Sequence, residues 1–445
     1  MKNKIPLLYF FLLPAGLFAQ EDFYKDFHET DITVLQWKDP NYLVEISSPD
    51  TTLSKYTLNP KRDYVLYAIG LCDQTGKFKW VYNLEGNVES AMILHDTLFV
   101  LSGKRDNWKT ESKAWLRLLQ FSLDGKLLNE KELSKMQLDA PNCWIHGLLD
   151  ENGHIWSIAE WYGAQEVQID GLKLPSEKLD HFRLSEWNRS GNTQRSFLLT
   201  GKELRLEKKE SRSGRIVLLF SGEKCRLGSQ PVMDETGIFL FSLTTTDNDP
   251  VFKCIGSGHV SAEQLGLSDQ GILVAGDFQG NDLLEFEPSS TIGGVKVFAP
   301  KNSFRDETAR NGFIALLDYN MKMKWLRTME SHCDVMVTSL SAFHDSIVIG
   351  ICYKDNVVLD NRKIISLKPK TEYEYSDAAV CFLDTAGHLF SYKRAWSEQS
   401  EKIRVLLFPQ HMVISGEFLY QLKILGRHFK NPSLNSTHFI WYRKR

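Results

Sequence analysis

The sequence lacks the motifs that identify the common enzyme classes. It contains no Gly-x-Ser-x-Gly nucleophile elbow, no His-Glu-x-x-His or Cys-x-x-Cys metal motif, no acidic calcium loop and no phosphate-binding loop. Its twelve histidines are scattered along the chain rather than grouped. These absences predict that the protein holds no metal and no cofactor, and they are more typical of a binding module than of an enzyme.

An excess of positive charge is also missing. The chain has 53 Lys and Arg against 56 Asp and Glu, which gives a formal net charge of −3. Proteins that bind nucleic acid carry clustered positive charge to neutralise phosphates. We therefore predict no nucleic-acid partner.

Long apolar runs are confined to the N-terminus. Lys2 and Lys4 precede the apolar stretch Ile5–Phe18, and Ala19-Gln20 is a suitable cleavage point. This pattern predicts a signal peptide over 1–19 and an exported protein, either periplasmic or extracellular. A membrane anchor is the alternative, but a span needs roughly 20 apolar residues. No other stretch is suited to cross a bilayer, and no cysteine near the cleavage point suggests a lipid anchor.

Cysteine is sparse, and its seven positions do not form a disulfide framework. An odd number of widely separated cysteines, several within apolar runs, predicts buried thiols rather than a set of bridges. Cys352 and Cys381 lie on strands that we expect to pair, so they are the best candidates for one bridge. The full set is Cys72, Cys143, Cys225, Cys254, Cys333, Cys352 and Cys381.

What the chain does contain is one pattern repeated along its length. Short apolar runs, each after a turn signal, begin at Tyr42, Leu98, Ile155, Ile216, Ile272, Ile347 and Met412. Each is preceded by one further run and followed by others, which predicts four-stranded antiparallel units with strands a, b, c and d. Fixed-period repetition of strands indicates a propeller.

The predicted fold is therefore all-β: a seven-bladed β-propeller of four-stranded antiparallel blades, occupying 20–445 as a single domain. The blades should begin near 30, 88, 143, 204, 260, 335 and 402. The last unit ends at Phe439–Tyr442, one strand short, while Asp22–Glu29 has no partner in its own unit. We predict that this N-terminal strand completes the last blade and closes the ring, the alternative being a disordered tail.

The fifth unit resembles a known repeat. Its elements are Gly276-Asp277-Phe278, Leu283–Phe286, Asn311-Gly312-Phe313, Asp318 and Trp325. In this order they resemble the seven-bladed propeller repeat of bacterial secreted proteins, called the SBBP repeat. The resemblance implies an exported propeller and says almost nothing about activity.

A weaker resemblance joins the chain to quinoprotein-like propeller repeats. The hairpin Asp73–Trp80 (DQTGKFKW) carries it. Quinone-dependent dehydrogenases of that group have an adjacent Cys-Cys pair, which is missing here. Other members are non-catalytic scaffolds of outer-membrane protein assembly, so the resemblance implies binding more than catalysis.

Three carboxylates occupy matching positions near the ends of b strands. Glu160, Asp277 and Glu417 are each the sixth residue of their run and would form a partial ring around a central funnel. Carboxylates held close together can bind a cation, or raise one another's pKa enough for acid–base chemistry. The alternative is that polar residues simply mark where each b strand meets solvent.

Aromatic residues follow at the next position of four runs. They are Trp161, Phe278, Tyr353 and Phe418. Buried aromatic side chains anchor protein interfaces, so these four are candidate binding residues. As structural residues they would instead wedge between neighbouring blades.

The b–c connections are the longest in the chain, notably Gln279–Arg310 and Lys354–Ser376, followed by Gly163–His181 and Leu419–His438. Long connections are functional or disordered in most folds, and strand-like stretches within these predict order.

Our leading hypothesis is a non-enzymatic module whose b–c face binds a protein, such as an outer-membrane or secretion-machinery component. The competing hypothesis is an enzyme or carbohydrate-binding protein that uses Glu160, Asp277 and Glu417. A third is a purely structural module of an envelope assembly.

Overall fold

The computed structural model describes most of the chain between its termini. The described residues are 23–28, 31–38, 41–48, 52–53, 56–57, 66–73, 77–106, 112–138, 143–149, 153–162, 167–170, 172–174, 179–188, 192–233, 236–244, 249–279, 290–297, 309–366, 377–397, 403–407, 411–418, 421–424, 427–430 and 437–444. All of their regular structure is β-strand. The described part contains no helix long and apolar enough to cross a membrane.

The strands follow one another in short steps along the chain. The first half contains β1 Phe23–His28, β2 Asp31–Lys38, β3 Asn41–Ser48, β4 Thr52–Leu53, β5 Tyr56–Thr57, β6 Leu66–Asp73, β7 Phe78–Leu84, β8 Asn87–Leu94, β9 Thr97–Asp106, β10 Ser112–Ser122, β11 Leu127–Leu138, β12 Cys143–Leu149, β13 Ile155–Trp161, β14 Val167–Ile169, β15 Leu172–Leu174, β16 Asp180–Trp187, β17 Thr193–Arg212, β18 Arg215–Leu227 and β19 Gln230–Met233. The second half contains β20 Gly237–Thr244, β21 Val251–Ser257, β22 Val260–Ser268, β23 Gly271–Phe278, β24 Ser290–Ile292, β25 Val295–Val297, β26 Asn311–Leu317, β27 Met323–Glu330, β28 Val335–Phe343, β29 Ser346–Tyr353, β30 Val357–Leu359, β31 Arg362–Ile364, β32 Asp377–Leu383, β33 Leu389–Ser397, β34 Ile403–Leu407, β35 His411–Phe418, β36 Gln421–Ile424, β37 Arg427–Lys430 and β38 Thr437–Lys444.

These strands pair into antiparallel sheets that follow one another along the chain. The orders within the described residues are β2-β3-β6-β7, β8-β9-β10-β11-β14-β15, β12-β13-β16-β17-β18-β20-β21-β24-β25 with β19 on β18, β22-β23-β26-β27-β30-β31, β28-β29-β32-β33-β36-β37, β34-β35-β38-β1 and the small β4-β5. The strands that open the units contact one another in succession: β2 with β8, β8 with β12, β12 with β17, then β22, β28 and β34. Successive sheets with their first strands side by side make an all-β propeller.

The sequence explains which strands lie inside. β13, β23 and β26 are almost wholly buried because neighbouring sheets cover both of their faces. The outer strand β7 alternates at first between buried and exposed residues, as expected where one face meets solvent. Hydrophobic clusters accordingly join residues of adjacent sheets: one cluster unites Leu240 of β20, Val274 of β23 and Phe313 of β26.

Aspartates fix the c–d turns that recur in the sequence. The Oδ1 atom of Asp318 accepts hydrogen bonds from the backbone N–H groups of Asn320 and Lys322, at 2.9 Å each. Asp384 holds its own turn in the same way. Such Asx turns explain why Asp recurs at the end of the c strand.

Some of these turns are followed by a tryptophan, whose indole N–H forms a hydrogen bond to the neighbouring sheet. Trp80 donates from Nε1 to the carbonyl oxygen of Leu123, in a turn of the next sheet, at 2.9 Å. Trp325 donates to the carbonyl oxygen of Thr385 at 3.0 Å in the same manner. The Asp-to-Trp pattern therefore encodes one turn and one contact between neighbouring sheets.

The long b–c connections contain ordered hairpins that pair with the sheet before them. β14–β15 adds to β11, β24–β25 to β21, β30–β31 to β27 and β36–β37 to β33. The end of β18, with β19, adds to β17 in the same way. These hairpins cover outer edges that would otherwise expose unpaired backbone groups. The predicted order in Gly294–Ala299 and Asn356–Ile365 is borne out for their described residues.

One expected boundary is absent. The sequence places the start of the fourth unit near 204, but this position lies inside β17, a strand of 20 residues. The first part of β17 pairs with β16 and the second part with β18. Glu203 has a φ of 52° where the two parts meet. The chain bends at this residue, whose positive φ leaves the extended region, but no loop separates the two parts, so the predicted third and fourth units share one sheet.

The first and last strands of the chain pair with each other. β1 runs antiparallel to β38, with Phe23 opposite Tyr442 and His28 opposite Thr437. The N-terminal strand is therefore the outermost strand of the sheet that also contains β34 and β35. The predicted signal peptide, 1–19, lies outside the described residues.

The expected bridge between Cys352 and Cys381 does not form, and the seven cysteines are free thiols. The two strands do pair, but Cys381 lies opposite Ile349 and Cys352 lies opposite Ala378. An offset of three residues along a strand places the two side chains on opposite faces of the sheet. They accordingly belong to different hydrophobic clusters.

Candidate functional site

The inner strands of several sheets carry a β-bulge at a similar place. The ladder register skips Glu89 in β8, Glu207 in β17, Glu263 in β22 and Thr338 in β28. A bulged residue leaves the alternation of its strand and re-aims its side chain. Polar side chains therefore leave the sheets at these four strands.

Glu89 is the centre of a buried ionic network. Its Oε2 atom lies 2.5 Å from Nζ of Lys209 and 3.1 Å from Nδ1 of His146. The same oxygen accepts the backbone N–H of Gly147 at 3.4 Å, and Asn87 donates to Oε1 at 2.5 Å. Only 7% of the Glu89 side chain is exposed, so this carboxylate exchanges water for four protein donors.

His146 joins Glu89 to a carboxylate that the sequence singled out. Its Nε2 atom lies 3.1 Å from Oε2 of Glu160 on β13, while Nδ1 faces Glu89. Burial lowers the pKa of His146, but the hydrogen bonds to Glu160 and Glu89 outweigh it and raise the pKa to about 9. The group joined by these contacts, Glu89, His146, Glu160 and Lys209, is called the axial network below.

The charges of the axial network shift its neighbours as well. Burial would raise the pKa of Glu89, but the Lys209 ammonium and His146 outweigh it and lower that pKa. Burial raises the pKa of Glu45, on β3, to about 7, with a small further increase from Glu89. Burial likewise raises the pKa of Glu210 to about 7 against the attraction of Lys208 and Lys209.

This arrangement stabilises charge but does not gather ligands around a point. The two ring nitrogens of His146 point to opposite edges of the imidazole, so Glu89 and Glu160 lie on different sides of it. Within the described residues, no group of three or more His, Cys, Asp and Glu side chains could hold a metal ion. The network is a chain of ion pairs rather than a coordination site.

Asp277 belongs to a different group of charges. Its Oδ1 atom lies 3.5 Å from Nε of Arg310. Burial raises the pKa of Asp277 to about 6, Arg310 lowers it, and Glu263 and Asp334 raise it further. Asp334 is itself buried and lies 3.9 Å from Nζ of the buried Lys354.

The structure therefore separates the predicted carboxylates. Glu160 pairs with His146, and Asp277 pairs with Arg310. The backbone of Glu417 lies opposite His438, but its side chain is outside the described part of the structure. Among the described contacts, none joins Glu160 to Asp277.

Three of the four candidate aromatic residues are buried between sheets. Trp161 and Phe278 pack in clusters that include the b–c hairpin residues Val167 and Ile292, and Tyr353 packs with Val357. Their exposed fractions are between 0% and 1%. They occupy the wedge position rather than a contact surface, and the side chain of Phe418 is outside the described residues.

An aromatic pair, of which Trp144 is exposed and Tyr162 is half-buried, lies beside the axial network and was missed by sequence reasoning. Trp144 stands directly opposite Glu160 on the neighbouring strand. Its ring meets that of Tyr162 edge-on, with centroids 5.5 Å apart, and Trp144 is 37% exposed. The only sequence signal is a large aromatic residue two positions before His146, on the same face of β12.

Comparisons with known proteins identify no family. No protein-family model matches the chain, and no curated protein matches it. BamB from Moraxella catarrhalis aligns with 11% identity and a TM-score of 0.37, covering 92% of this chain and 99% of that chain. Drosophila Plexin A, solved in complex with Semaphorin 1b, aligns with 7% identity and a TM-score of 0.37, covering 95% of this chain and 86% of that chain. At these scores the alignments carry no argument about function, and the fold rests on the strand pairing itself.

Proposed function

We propose that the chain is an exported, non-enzymatic scaffold: a closed seven-bladed β-propeller that binds a protein partner on the face where the b strands end. The partner class that we infer is an outer-membrane or secretion-machinery component. Residues 1–19 act as the signal peptide and 20–445 form the propeller. The SBBP-type assignment is part of this proposal.

Two observations support closure of the ring. The pairing of β1 with β38 gives the last sheet its fourth strand from the other end of the chain. In addition, the charge of Arg404 on β34 lowers the pKa of Glu45 on β3, an attraction that favours a short distance between the last inner strand and the first sheet. The ten-stranded sheet then corresponds to two blades, because the first part of β17 is the last strand of one and its second part is the first strand of the next.

The exposed Trp144, packed edge-on against the half-buried Tyr162, is the observation that carries the binding proposal. Trp and Tyr are enriched among residues that dominate binding energy because they bury much area with few rotatable bonds. Here the pair sits above charges that are already satisfied by one another, so binding on it would leave no ion unpaired. The ordered b–c hairpins hold neighbouring sheets together, which makes the surrounding face rigid before a partner arrives.

The test is affinity purification of the tagged, full-length chain from its native cell envelope after mild crosslinking, with identification by mass spectrometry. We expect a stoichiometric protein partner and a loss of about tenfold or more in its yield with Trp144→Ala. Phe390→Ala is the matched control, because Phe390 is a large exposed residue, at 54%, on the outer strand β33. Removing a whole b–c connection is a poor test, since its hairpin also holds the preceding sheet.

Recovery of the chain alone would count against the proposal. So would equal partner yields from the native chain, Trp144→Ala and Phe390→Ala. If the partner yield fell with Phe390→Ala but not with Trp144→Ala, the binding surface would lie at the outer strands, near β33, and not at Trp144.

Carbohydrate binding is the second candidate, and the position of Trp144 favours it. An aromatic ring directly opposite a carboxylate can stack on a sugar while the carboxylate accepts its hydroxyl groups. Glu160 would be the polar contact, while Asp277 pairs with Arg310 and the side chain of Glu417 lies outside the described residues. Screening purified protein against a glycan panel separates the two, because carbohydrate binding predicts a retained glycan that Trp144→Ala weakens, whereas a protein-binding module should retain none.

A further inference from the structure

We propose that His146 is a pH-sensitive tie between inner strands: as an imidazolium it bridges Glu89 and Glu160, and loss of its proton loosens β12 from β8 and β17. This tie goes beyond the binding role, since it concerns what holds the centre of the propeller together.

The geometry requires a doubly protonated ring. Both ring nitrogens of His146 lie 3.1 Å from a carboxylate oxygen. A neutral imidazole has one N–H and one lone pair, so it can donate to only one of the two carboxylates. Its lone pair would then face the other anion. An imidazolium donates to both.

The surrounding charges balance only in that state. The groups that face His146 are Glu89 on β8 and Glu160 on β13, with Lys209 on β17 behind Glu89. Two anions and two cations cancel. Beyond them, Glu45 on β3 interacts with Glu89, Lys209 and Arg404 of β34. Removing the imidazolium proton leaves one negative charge in excess where water is scarce.

The tie matters because, among the described contacts, few other hydrogen bonds join these strands. In the described residues β8, β12 and β17 lie side by side without a shared ladder between β8 and β12 or between β12 and β17. Ser90 accepts the N–H of Leu149 at 3.1 Å, and Ser211 donates to the carbonyl oxygen of the same residue at 2.8 Å. Both bonds are at the C-terminal end of β12, so the described polar contacts at the middle of the strand, where His146 lies, are those of the axial network.

Tight packing keeps His146 in register with its partners. A Cβ atom at Gly147 would lie 2.8 Å from Cδ1 of Leu101 and 2.9 Å from Cδ1 of Leu116. Because a side chain does not fit there, the backbone of β12 lies directly against the preceding sheet. The imidazole cannot follow a shifted partner without breaking this contact.

The direction of the pH effect follows from the raised pKa. A histidine whose pKa rises from 6.5 to about 9 on folding gives stability that is complete below about pH 6.5 and is lost as pH rises through about 9. Glu45 and Glu210, with pKa values near 7, lower the stability of the fold as pH rises from about 4.5 towards 7, and their effect changes little above about 7. Unfolded cysteines have a pKa of about 8.5 and add to the loss of stability near pH 9, so His146 is reported by the part of the slope between pH 7 and 9 that His146→Gln removes.

The first measurement is NMR titration of the full-length chain labelled at histidine, with His146→Gln to assign the signal. We expect the ring of His146 to titrate near pH 9 instead of 6.5, and to show two N–H groups at pH 7. A midpoint at 6.5 or below, or a single tautomer at pH 7, would overturn the proposal.

The second measurement is the urea midpoint between pH 7 and 9. The native chain should lose stability over this interval, His146→Gln should lose clearly less, and His154→Gln should keep the native slope. His154 is the matched control because it is 37% exposed and contacts a single carboxylate, Glu186, at 2.8 Å in the described contacts. The native slope surviving in His146→Gln would overturn the tie. If that variant does not fold, Glu160→Gln serves instead, and an unchanged titration of His146 in it would have the same meaning.

Discussion

The inner strands of neighbouring sheets are joined by ionic contacts in one part of the molecule and by hydroxyl groups in another. Around β8, β12 and β17, the ionic contacts of Glu89, His146 and Lys209 join strands from different sheets. Between β28 and β34, hydroxyl groups bond directly to backbone: Thr338 donates to the carbonyl oxygen of Ile403 at 2.7 Å, and Ser339 accepts the N–H of Val405 at 3.1 Å. The first solution depends on protonation, and the second does not.

The strands lie close together in both places. A Cβ atom at Gly350, beside β28, would lie 2.5 Å from Oγ of Ser339 and 2.8 Å from the carbonyl oxygen of Ile403, so short hydroxyl side chains suffice there. Around the middle of β12, glutamate, histidine and lysine side chains make the contacts instead. The protein therefore combines an ionic sector around β12, which depends on pH, with a hydroxyl sector between β28 and β34, which does not.

The largest effect is expected for Glu89→Ala, which breaks the ionic sector. It leaves Lys209 and the His146 imidazolium buried without their shared counter-charge, and breaking a buried ion pair from one side costs about 3–5 kcal/mol. Urea denaturation at pH 7 measures the loss. Glu130→Ala is the control, because its pair with Arg117 is at the surface and contributes about 0–1 kcal/mol. Equal losses in the two variants would show that the network does not stabilise the fold.

A smaller effect is expected for Ser339→Ala in the hydroxyl sector. The N–H of Val405 loses its partner in a buried position, which costs about 1–3 kcal/mol. Because no group in this bond titrates, the loss should be the same at pH 6 and pH 9. Thr328→Ala, which removes only a bond at the surface, should leave the urea midpoint nearly unchanged. If the loss of stability in Ser339→Ala increased with pH, the hydroxyl sector would depend on pH like the ionic one, which would contradict this comparison.

The smallest effect is a gain, from Glu45→Gln. The raised pKa of Glu45, about 7, means that the folded state prefers the protonated carboxyl, so native stability falls as pH rises from about 4.5 towards 7. Glutamine resembles the protonated form, so it should stabilise the fold at pH 8 and change almost nothing at pH 4.5. Thermal unfolding at both pH values measures the difference. Destabilisation by the variant at pH 8 would mean that ionised Glu45 is needed for the attraction of Lys209 and Arg404.

Much of the strand pattern could be predicted from sequence because each unit signals its own turns. Tyr42, Leu98 and Met412 begin or lie near the beginning of observed b strands, and the pairing of β1 with β38 matches the predicted partner of Asp22–Glu29. The continuous strand β17 was missed because nothing in its sequence distinguishes a bend at Glu203 from a loop.

The site was harder to predict because it is made between units. Glu160 was singled out by its position, but its partner His146 lies on another strand and Glu89 lies in another sheet. The bulge that frees Glu89 has no sequence motif. The cysteine prediction failed for a related reason: strand pairing was right, but the face on which each thiol lies depends on an offset that spacing alone does not give.

The pairing of β1 with β38 sets a condition on when the fold can be finished. Phe23 lies opposite Tyr442, so β1 is synthesised long before the strand with which it pairs. Until β38 follows, the pairing edge of β1 has no partner, and such edges are prone to pair with other chains. The last sheet can thus be completed only after β38 has been synthesised. Protecting Phe23–His28 from other chains during that delay therefore protects the folding of the whole protein.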